Sequence, residues 1–516
     1  MGKIALLSVS DKTGIVDLAS KLVKKFNFQI ISSGGTAKTL QAAGIEVTKI
    51  SDYTGSAEIL GGRVKTLHPR VHGGILARRN VPEDLKDLED NNIQPIDLVV
   101  VNLYPFEQTI AQANCTLEAA IENIDIGGPT LLRAAAKNYA HVTVLCEPGQ
   151  YDKYLAELSK SQGEPSWQFR QAMAELAFNH TCAYDAAIAN YFASLHSSET
   201  NQFPPIYHLT GKLVQTLRYG ENPHQPAAWY QTGKIATGWT AAEKLQGKEL
   251  SYNNLVDLEA ARRIIAEFPS TEPTAAILKH TNPCGAAIGN SLAEAYQKAF
   301  AADSISAFGG IVALNQTIDQ PTAQALTKTF LECVVAPDCT PEARTILRSK
   351  SKLRILLLPN LITGPKQTIK AIAGGLLIQN SDDLLENPEH WEIVTKKQPT
   401  PEDMAEMLFA WKLVKHIKSN AILVTSHRTT VGVGAGQMNR VGAVKIALEQ
   451  AGDKAKGGVL ASDGFFPFDD SVRTAAAAGV KAIVQPGGSI RDKDSIQAAD
   501  ELGLIMVFTK IRHFLH

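Results

Sequence analysis

The first 145 residues alternate between short apolar runs and a segment whose apolar residues recur at helical spacing. Residues 3–9, 29–31, 96–101 and 142–145 are the apolar runs, and residues 15–26 show the helical spacing. Apolar runs of this length are typical of strands buried on both faces of a sheet. Their alternation with helices predicts a doubly wound parallel sheet, which restricts this part of the chain to the α/β class.

The length of 516 residues exceeds what one hydrophobic core usually accommodates, so we expect two to four domains. A polar stretch with two prolines and no periodicity, Ser197–Pro205, interrupts the pattern. We place a boundary in this stretch, which gives a first domain of residues 1–200 and a second domain of residues 201–516.

The charge balance and the cysteine content restrict the partners and the compartment. The net charge is -1, whereas nucleic acids and membrane surfaces favour a strong basic excess, so neither is an expected partner. The six cysteines form no Cys-x-x-Cys pair, which favours reduced thiols rather than a disulfide framework. The N-terminus lacks a signal-peptide pattern, and no apolar run reaches the length of a membrane span. These features predict a cytoplasmic protein.

Two predicted strand-to-helix turns, Ser10–Gly14 and Ser32–Thr36, are rich in serine, threonine and glycine. Turns of this kind present free backbone N–H groups at a helix N-terminus, where a phosphate binds well. Ordinary capping of the helices by serine or threonine is the alternative, and it is the commoner explanation of either turn considered alone.

A long glycine-containing basic segment, residues 61–74, separates the second helix from the next predicted strand. Loops of this length inside a compact domain are usually functional. Arg63 and Lys65 would neutralise a phosphate or a developing oxyanion. A solvated basic loop is the alternative.

Three further proton-transfer residues follow in the same domain. Tyr104 lies just beyond the strand of residues 96–101, and Asp125 precedes a predicted helix that begins near Pro129. Lys137 lies about two turns along that helix. Together with Lys65, these residues are expected on loops or strand ends of one sheet, which indicates a shared site.

In the second domain, Lys279 and His280 follow an apolar run predicted to be a buried strand, and a helical pattern begins at Ser291. A cation and an imidazole are therefore expected where a strand ends and a helix is about to begin, with Pro283 stopping the ladder and Gly285 allowing a tight turn. The alternative is a solvated lysine beside a structural histidine.

Other motifs in this domain combine glycine with aromatic or cationic residues. They are Leu217–Gln225, Ser304–Gly310, Gly432–Arg440 and Ala461–Phe468. The third motif departs from G-x-G-x-x-G, so it predicts a backbone cradle at a helix start rather than a dinucleotide site. In the fourth, three phenylalanines around Pro467 are either core residues or the walls of a slot for a flat ring such as a pterin.

The motifs SVSDKTG, SSGGT, GGRVKTLHP, NLYPF, IDIGG and RAAAKN occur in this order and resemble the N-terminal half of the bifunctional purine biosynthesis family. The resemblance continues through the second domain and covers nearly the whole chain. It implies a methylglyoxal-synthase-like cyclohydrolase domain, followed by a transformylase domain built from two cytidine-deaminase-like α/β units.

The resemblance also implies the reactions and the residues that carry them. The transformylase moves a formyl group from 10-formyltetrahydrofolate to aminoimidazole carboxamide ribonucleotide, and the cyclohydrolase closes the product to inosine monophosphate. The implied nucleotide contacts of the first domain are Ser10, Asp11, Lys12, Ser33, Gly34, Thr36, Arg63, Thr66, Asn102 and Ile126. The implied residues of ring closure are Lys65, Tyr104, Asp125 and Lys137.

For formyl transfer the chemistry favours His280 as the base and Lys279 as the oxyanion partner. The resemblance implies that Asn420 and Asp463 position the reactants. The expected nucleotide contacts of this domain are Arg218, Tyr219, Phe308, Gly309, Glu332 and Arg440. The expected folate contacts are Val441, Phe465, Pro467 and Arg512.

The family resemblance further implies a homodimer. The chain lacks the His-x-Glu and Pro-Cys-x-x-Cys ligand set of zinc deaminases, so no metal is predicted. Two alternatives stay open at this point: a nucleotide-binding regulator without activity, and a metal-dependent deaminase.

Overall fold

The chain divides into two compact units, Met1–Thr210 and Gly211–His516. The structure is a computed structural model that describes residues 2–195, 203–233 and 235–516. The boundary predicted at residue 200 lies outside the described residues, so the domain limits 1–200 and 201–516 stay predictions.

The described part of the N-terminal unit forms a five-stranded sheet in which every pairing is parallel. Its strands are β1 (Lys3–Val9), β2 (Phe28–Ser32), β3 (Thr48–Lys49), β4 (Leu98–Asn102) and β5 (Thr143–Leu145). The order across the sheet is β3-β2-β1-β4-β5, so the direction of winding reverses between β1 and β4. This is the predicted doubly wound parallel sheet, and four of its strands lie within two residues of the predicted apolar runs.

The helices of this unit pack around those strands. They are α1 (Ile15–Phe26), α2 (Gly34–Ala42), α3 (Ile50–Thr54), α4 (Pro69–Leu76), α5 (Pro82–Asp90), α6 (Phe106–Ile110), α7 (Leu117–Glu122), α8 (Gly127–Lys137), α9 (Tyr151–Lys160) and α10 (Trp167–Leu195). Helix α1 has the predicted bounds because its apolar residues recur on one face, where Ile15, Leu18 and Leu22 are fully buried.

The described part of the C-terminal unit is organised around one twelve-stranded mixed sheet and two separate hairpins. Its strands are β6 (Gly211–Leu217), β7 (Ala227–Thr232), β8 (Glu243–Gln246), β9 (Thr274–Lys279), β10 (Asn282–Ile288), β11 (Ile311–Leu314), β12 (Cys333–Ala336), β13 (Arg354–Leu357), β14 (Gln367–Ile372), β15 (Gly375–Asn380), β16 (Glu392–Ile393), β17 (Ile422–Ser426), β18 (Thr429–Gly434), β19 (Val459–Ser462), β20 (Ala482–Gln485) and β21 (Ile505–Phe508). Its helices are α11 (Tyr252–Ile265), α12 (Leu292–Ala302), α13 (Gln320–Leu326), α14 (Pro341–Leu347), α15 (Pro401–Val414), α16 (Arg440–Ala451), α17 (Asp470–Ala477) and α18 (Asp492–Glu501).

The large sheet consists of one arrangement that occurs twice. Hairpin β9–β10 continues through antiparallel β11 into parallel β12 and β13 and ends at antiparallel β8. Hairpin β17–β18 continues in the same way through β19, β20 and β21 to β16. The two halves join where β10 pairs antiparallel with β18, which agrees with the expected pair of α/β units.

Two glycines have a different role from the predicted one. Gly285 and Gly432 lie inside β10 and β18 rather than in turns. A Cβ atom on Gly285 would collide with the carbonyl oxygen of Ala299 in α12, and a Cβ atom on Gly432 would collide with that of Ala447 in α16. Glycine is required in each repeat because a helix backbone packs directly on the strand.

Candidate active sites

In the N-terminal unit, the ends of β1 and β4 meet at the point where the winding reverses. The Ser10 hydroxyl and the Asp11 backbone N–H donate to Asn102 Oδ1 at 2.9 and 2.8 Å. Ser10 Oγ also donates to the carbonyl of Leu103 at 2.6 Å. Doubly wound sheets bind ligands in the crevice at this position. The structure therefore brings the predicted residues of these two strand ends together.

The start of α2 forms the second wall of this crevice. Ser33 is the N-cap residue of α2, but its side chain makes no capping hydrogen bond, so the alternative of ordinary capping is wrong for this turn. The Thr36 hydroxyl accepts from the Val9 N–H and donates to the Val9 carbonyl, both at 3.0 Å, which ties the helix to β1. The first N–H groups of α2 thus stay available to an anion.

Two lysines converge on the start of α2. A Cβ atom placed on Gly34 would lie 3.2 Å from Lys65 Nζ, and one placed on Gly35 would lie 4.0 Å from Lys12 Nζ. Burial lowers the pKa of the Lys12 ammonium, and the neighbouring Asp11 carboxylate opposes this effect. Two ammonium groups beside a helix N-terminus form the electrostatic environment that a phosphate requires.

The first of the two turns differs from its prediction in one respect. Helix α1 is capped by Gly14 in the left-handed region at φ 70°, and no side chain of the preceding turn caps it. The Asp11 carboxylate instead accepts the Thr13 N–H at 2.9 Å. The side chains of this turn are therefore used within the turn and at β4 rather than as helix caps.

Asp125 lies at the start of α8, where its Oδ1 accepts the Gly128 N–H at 2.8 Å. Burial raises the pKa of the Asp125 carboxyl, and the backbone N–H groups of Gly128 and Tyr104 partly offset that rise. The Tyr104 backbone is thus close to Asp125, and the Tyr104 side chain is 45% exposed. A Cβ atom on Gly127 would lie 3.0 Å from Thr66 Oγ1, so the basic segment also reaches this helix.

The remaining predicted residues of this unit are less clearly placed. Arg63 pairs with Glu122 in an exposed ion pair, and Lys65 Nζ lies 3.3 Å from Glu58. The Arg63 pair is exposed and the Lys65 pair is partly exposed, and ion pairs near the surface contribute little to stability, so both cations can exchange partners when an anion arrives. Ile126 is 61% exposed.

Lys137 lies apart from the other predicted residues. It is the last residue of α8, about 15 Å along the helix axis from the Asp125 end. The next residue, Asn138, donates to the carbonyls of Ile75 and Ala77 at 2.7 and 2.9 Å. The expectation that Lys137 shares a loop or strand end with the others is wrong, because a whole helix separates them within this chain.

In the C-terminal unit, Lys279 and His280 lie at a β-hairpin turn rather than at a strand-to-helix junction. His280 and Thr281 both adopt positive φ, 50° and 64°, between the paired residues Lys279 and Asn282. This is the geometry of a two-residue hairpin turn. Pro283 belongs to β10 and pairs with Leu278, so it does not end the ladder as predicted. His280 is the first residue of this turn, and its side chain is exposed.

The Lys279 ammonium is fixed by two carbonyl groups. Its Nζ donates to Phe308 O at 3.1 Å and to Gly309 O at 3.2 Å, and Gly309 has φ 69°. Phe308 is 60% exposed and lies 5.4 Å from the ring of Phe330. The predicted cation and the predicted aromatic motif therefore meet.

The second repeat reaches the same edge of the sheet. The Lys418 N–H donates to Asn282 Oδ1 at 3.1 Å, and the Asn420 side-chain amide donates to Gln437 O at 2.7 Å. Because β9 and β17 run in opposite directions, the end of β9 and the start of β17 lie at one edge. Lys279, His280 and Asn420 are thus brought to one site from two repeats.

Asp463 and Arg440 interact with each other below this edge. They form a buried ion pair, and Asp463 also accepts the Ser419 hydroxyl at 2.5 Å and the Ala421 N–H at 3.1 Å. Asp463 is fully buried. The prediction had both residues contacting reactants, whereas here each charge is satisfied by the other. Their immediate effect is to order the segment that carries Asn420.

Glu332 has a similar arrangement in the first repeat. Its carboxylate pairs with Arg354 at 2.7 Å, and Arg354 Nε also donates to the carbonyl of Glu249 at 2.9 Å. Glu332 is half-buried immediately before β12. A nucleotide contact by Glu332 would therefore take place beside a fixed guanidinium.

The predicted folate contacts cluster around Gly464. A Cβ atom there would lie 2.8 Å from Phe514 Cε1, so the C-terminal segment covers this position. Arg512 stacks over Phe514 at 4.6 Å, and Phe465 is 41% exposed. Of the three phenylalanines in the motif, only Phe466 is a core residue. Val441 and Pro467 are half-buried.

Arg218 and Tyr219 follow β6 and stack on each other, with 5.4 Å from the guanidinium to the ring. Their loop continues to Glu221, whose carbonyl accepts the Asn253 side-chain amide at 3.4 Å. Asn253 lies on α11, one turn before Asp257. Asp257 Oδ1 accepts the Thr281 N–H at 2.7 Å, so this loop and the His280 turn contact the same helix.

Some residues of the site were not predicted from the sequence. Asp257, Ser419 and His513 each hold a segment that carries a predicted residue. Only the position of Asp257 on the same helical face as Asn253 could have indicated a role.

Two family models and several relatives match this chain. A family model described as an MGS-like domain matches residues 14–130, and one described as the AICARFT/IMPCHase bienzyme matches residues 135–450. The bifunctional purine biosynthesis protein PurH of Rippkaea orientalis is 70% identical over 516 residues, covering 100% of both chains. The PurH protein of Synechocystis sp. is 67% identical, again over 100% of both chains. A crystal structure of ForH shares 40% identity, covers 38% of this chain and 100% of its own, and gives a TM-score of 0.35.

A methylglyoxal-synthase-like unit with two lysines at a helix N-terminus, and a duplicated α/β unit with Lys279, His280 and Asn420 at one sheet edge, define a two-domain α/β enzyme. The chain belongs to the AICARFT/IMPCHase bienzyme family of bifunctional purine biosynthesis proteins. The predicted family and fold class are thereby confirmed. In the part of the chain that the structure describes, no cluster of three or more His, Cys, Asp or Glu residues is arranged for a metal ion. No helix among those residues is long and apolar enough to cross a membrane.

Proposed function

We propose that the C-terminal unit transfers a formyl group to aminoimidazole carboxamide ribonucleotide and that the N-terminal unit closes the product to inosine monophosphate. Members of this family carry both activities, and the chain is accordingly a transferase and a hydrolase of purine biosynthesis. The assignment of each step to a unit and to particular residues is our inference. The observation that supports it most is the meeting of Lys279, His280 and Asn420 at one sheet edge.

In the formyl transfer step the 5-amino nitrogen attacks the formyl carbon of 10-formyltetrahydrofolate. A new C–N bond forms, the bond from the formyl carbon to folate N10 breaks, and the proton lost by the amine ends on N10. His280 is exposed at the turn and carries that proton. Lys279, held by two carbonyls, stabilises the oxyanion.

The binding groups around these two residues follow from the same geometry. Arg218 and Tyr219 present a cation and a ring to the nucleotide from the loop that contacts α11. Phe465 and Arg512 offer an exposed aromatic face and a cation to the folate. Asn420 positions the carboxamide, and the buried Asp463–Arg440 pair keeps Asn420 in place.

In the ring closure step the carboxamide nitrogen attacks the new formyl group, and water leaves. Both groups belong to one molecule, so orientation supplies much of the acceleration. Lys12 and Lys65 at the start of α2 bind the phosphate or the developing oxygen charge. Tyr104 donates to the carbinolamine oxygen, and Asp125, whose pKa is raised by burial, exchanges the proton.

The assignment of Lys137 to ring closure rests on the family resemblance. Because a helix length separates Lys137 from Asp125 within the chain, its role needs a direct test. If Lys137→Ala folds but no longer closes the ring, the assignment is supported. Ring closure at the wild-type rate in this variant would refute the assignment.

We further propose a homodimer in the cytoplasm. The two-stranded hairpin β14–β15 is a separate sheet, and Ile369, Leu376 and Leu377 on it are 40%, 51% and 55% exposed. An isolated hairpin with exposed apolar side chains needs a packing partner, for which a second copy is suited. Sedimentation of the protein and of Leu377→Lys tests this: a dimer that Leu377→Lys weakens supports it, and a monomeric wild type contradicts it.

Product identification tests the two-step proposal. Purified protein given the ribonucleotide and 10-formyltetrahydrofolate is expected to form inosine monophosphate. Lys65→Ala is expected to accumulate the formylated ribonucleotide, because only the second step needs Lys65. Wild-type closure by Lys65→Ala would contradict the assignment of ring closure to the crevice at α2.

A further inference from the structure

The hairpin turn that carries His280 has a counterpart in the second repeat. His427 and Arg428 form the turn between β17 and β18, with φ values of 53° and 51°. In each turn a histidine comes first, and the second residue is not a glycine either. Both residues adopt the left-handed region. Such residues are held there only when surrounding groups stabilise the strained backbone.

The stabilising contact is the same in both repeats. Asp257 Oδ1 accepts the Thr281 N–H at 2.7 Å, and Glu406 Oε2 accepts the Arg428 N–H at 2.7 Å. Asp257 is the sixth residue of α11 and Glu406 is the sixth residue of α15, both of which are 14-residue helices. The duplication thus retained a carboxylate that anchors the turn, although the two side chains differ in length.

Only the first of these turns faces the candidate transformylase site. The His280 turn lies at the sheet edge where Asn282 contacts Lys418, whereas the antiparallel pairing of β10 with β18 places the His427 turn at the opposite edge. There Arg428 pairs with Glu272 at 3.2 Å. Glu406 therefore provides an internal control for Asp257, because its hydrogen bond stabilises an equivalent turn away from the candidate site.

We infer that Asp257 is the positioning residue of formyl transfer: its hydrogen bond to the Thr281 N–H fixes the hairpin turn that presents Lys279 and His280 to the reacting groups. The inference rests on the proposed function of His280. It also uses the contact of the Arg218 loop with Asn253, since that contact places the nucleotide loop one helical turn from Asp257. Helix α11 thus contacts the turn of the base through Asp257 and the nucleotide loop through Asn253.

Steady-state kinetics of formyl transfer with 10-formyltetrahydrofolate tests this inference in four variants. Asp257→Ala removes the acceptor and is expected to lower kcat about 100-fold, as about 1 Å of misplacement does, with KM for the ribonucleotide changed less than about threefold. Asp257→Asn keeps an oxygen acceptor and is expected to retain kcat within about tenfold. Glu406→Ala loses the equivalent bond and is expected to keep kcat within about threefold. His280→Ala is the reference for loss of the base.

The outcomes separate the inference from the proposal on which it rests. Wild-type kcat in Asp257→Ala, or a kcat loss in Glu406→Ala as large as in Asp257→Ala, would overturn the positioning role. If Asp257→Ala does not fold, Asp257→Asn is the deciding variant. Loss of kcat in folded Asp257→Asn would overturn the positioning role, because it would show that the charge of Asp257 is required and not its hydrogen bond. Full activity of His280→Ala would instead refute the proposed base, whatever Asp257 does.

Discussion

The guanidinium of Arg440 donates to the carboxylate of Asp463 in a pair that is buried at the carboxyl end of β19. Removing one member leaves an uncompensated charge in the interior, which costs about 3–5 kcal/mol. We expect Asp463→Asn to lower the free energy of unfolding of the C-terminal unit by that order, as measured from the urea midpoint. Formyl transfer should fall as well, because an asparagine side chain keeps only one acceptor oxygen for the Ser419 hydroxyl and the Ala421 N–H, which both bind the carboxylate.

Arg473 and Asp469 provide a control of the same residue types. This pair is exposed on α17, where an ion pair contributes about 0–1 kcal/mol. Asp469→Asn should shift the urea midpoint far less than Asp463→Asn. Equal shifts would show that burial of the Arg440–Asp463 pair does not govern its contribution.

His513 predicts a pH dependence of stability. Burial lowers the pKa of His513, but hydrogen bonds to the carboxylates of Asp382 and Glu386 outweigh that effect and raise its pKa to about 9. The ordinary pKa is about 6.5. A raised folded-state pKa means that the stabilisation is fully present below about pH 6.5 and is lost as pH rises through about 9.

The free energy involved is on the order of 3 kcal/mol. We expect the urea midpoint of the wild-type C-terminal transition to fall between pH 6.5 and 9, and we expect His513→Gln to flatten this slope. If the urea midpoint depends on pH equally in His513→Gln and in the wild type, His513 is not the charged group that causes the dependence. The backbone of His513 also binds Asp463, so formyl transfer is expected to weaken over the same range.

Gly34 tests the phosphate crevice of the N-terminal unit. It has φ 50°, and a Cβ atom would lie 3.2 Å from Lys65 Nζ. Gly34→Ala should therefore raise KM for ring closure at least about tenfold by displacing the ammonium and blocking the helix N-terminus. The backbone strain itself costs about 1–2 kcal/mol.

The substitution Gly44→Ala is a control that introduces backbone strain without affecting the anion site. It has φ 75°, and a Cβ atom there would have nothing within 4 Å. Gly44→Ala should lose similar stability with ring-closure kinetics unchanged, as checked by thermal unfolding and initial rates. If both variants raise KM equally, the effect of Gly34→Ala is strain and not the loss of an anion site.

The sequence predicted the N-terminal sheet well because local signals determine it. The apolar runs and the helical spacing of residues 15–26 give the strands and α1 directly. The residues that follow β1 and β4 could also be placed together, since the rule for strand ends requires no knowledge of side-chain contacts.

The turn at His280 could not be predicted in the same way. Neither His280 nor Thr281 is a residue that favours positive φ as glycine does, so the sequence contains no hairpin signal there. The turn depends on Asp257, which is more than twenty residues away and belongs to a helix. Lys137 was expected on a loop or strand end because of its residue type, whereas it is the last residue of α8 and lies a helix length from Asp125.

The most direct measurement compares both half-reactions in His280→Ala. The account predicts that this variant, supplied with the formylated ribonucleotide, forms inosine monophosphate at the wild-type rate. With aminoimidazole carboxamide ribonucleotide and 10-formyltetrahydrofolate it should form formylated product at least about 100-fold more slowly, since general base catalysis contributes that order. Loss of both half-reactions in the folded variant would contradict the assignment of the two steps to two separate sites, and retention of both would contradict the role of His280 as the base of formyl transfer.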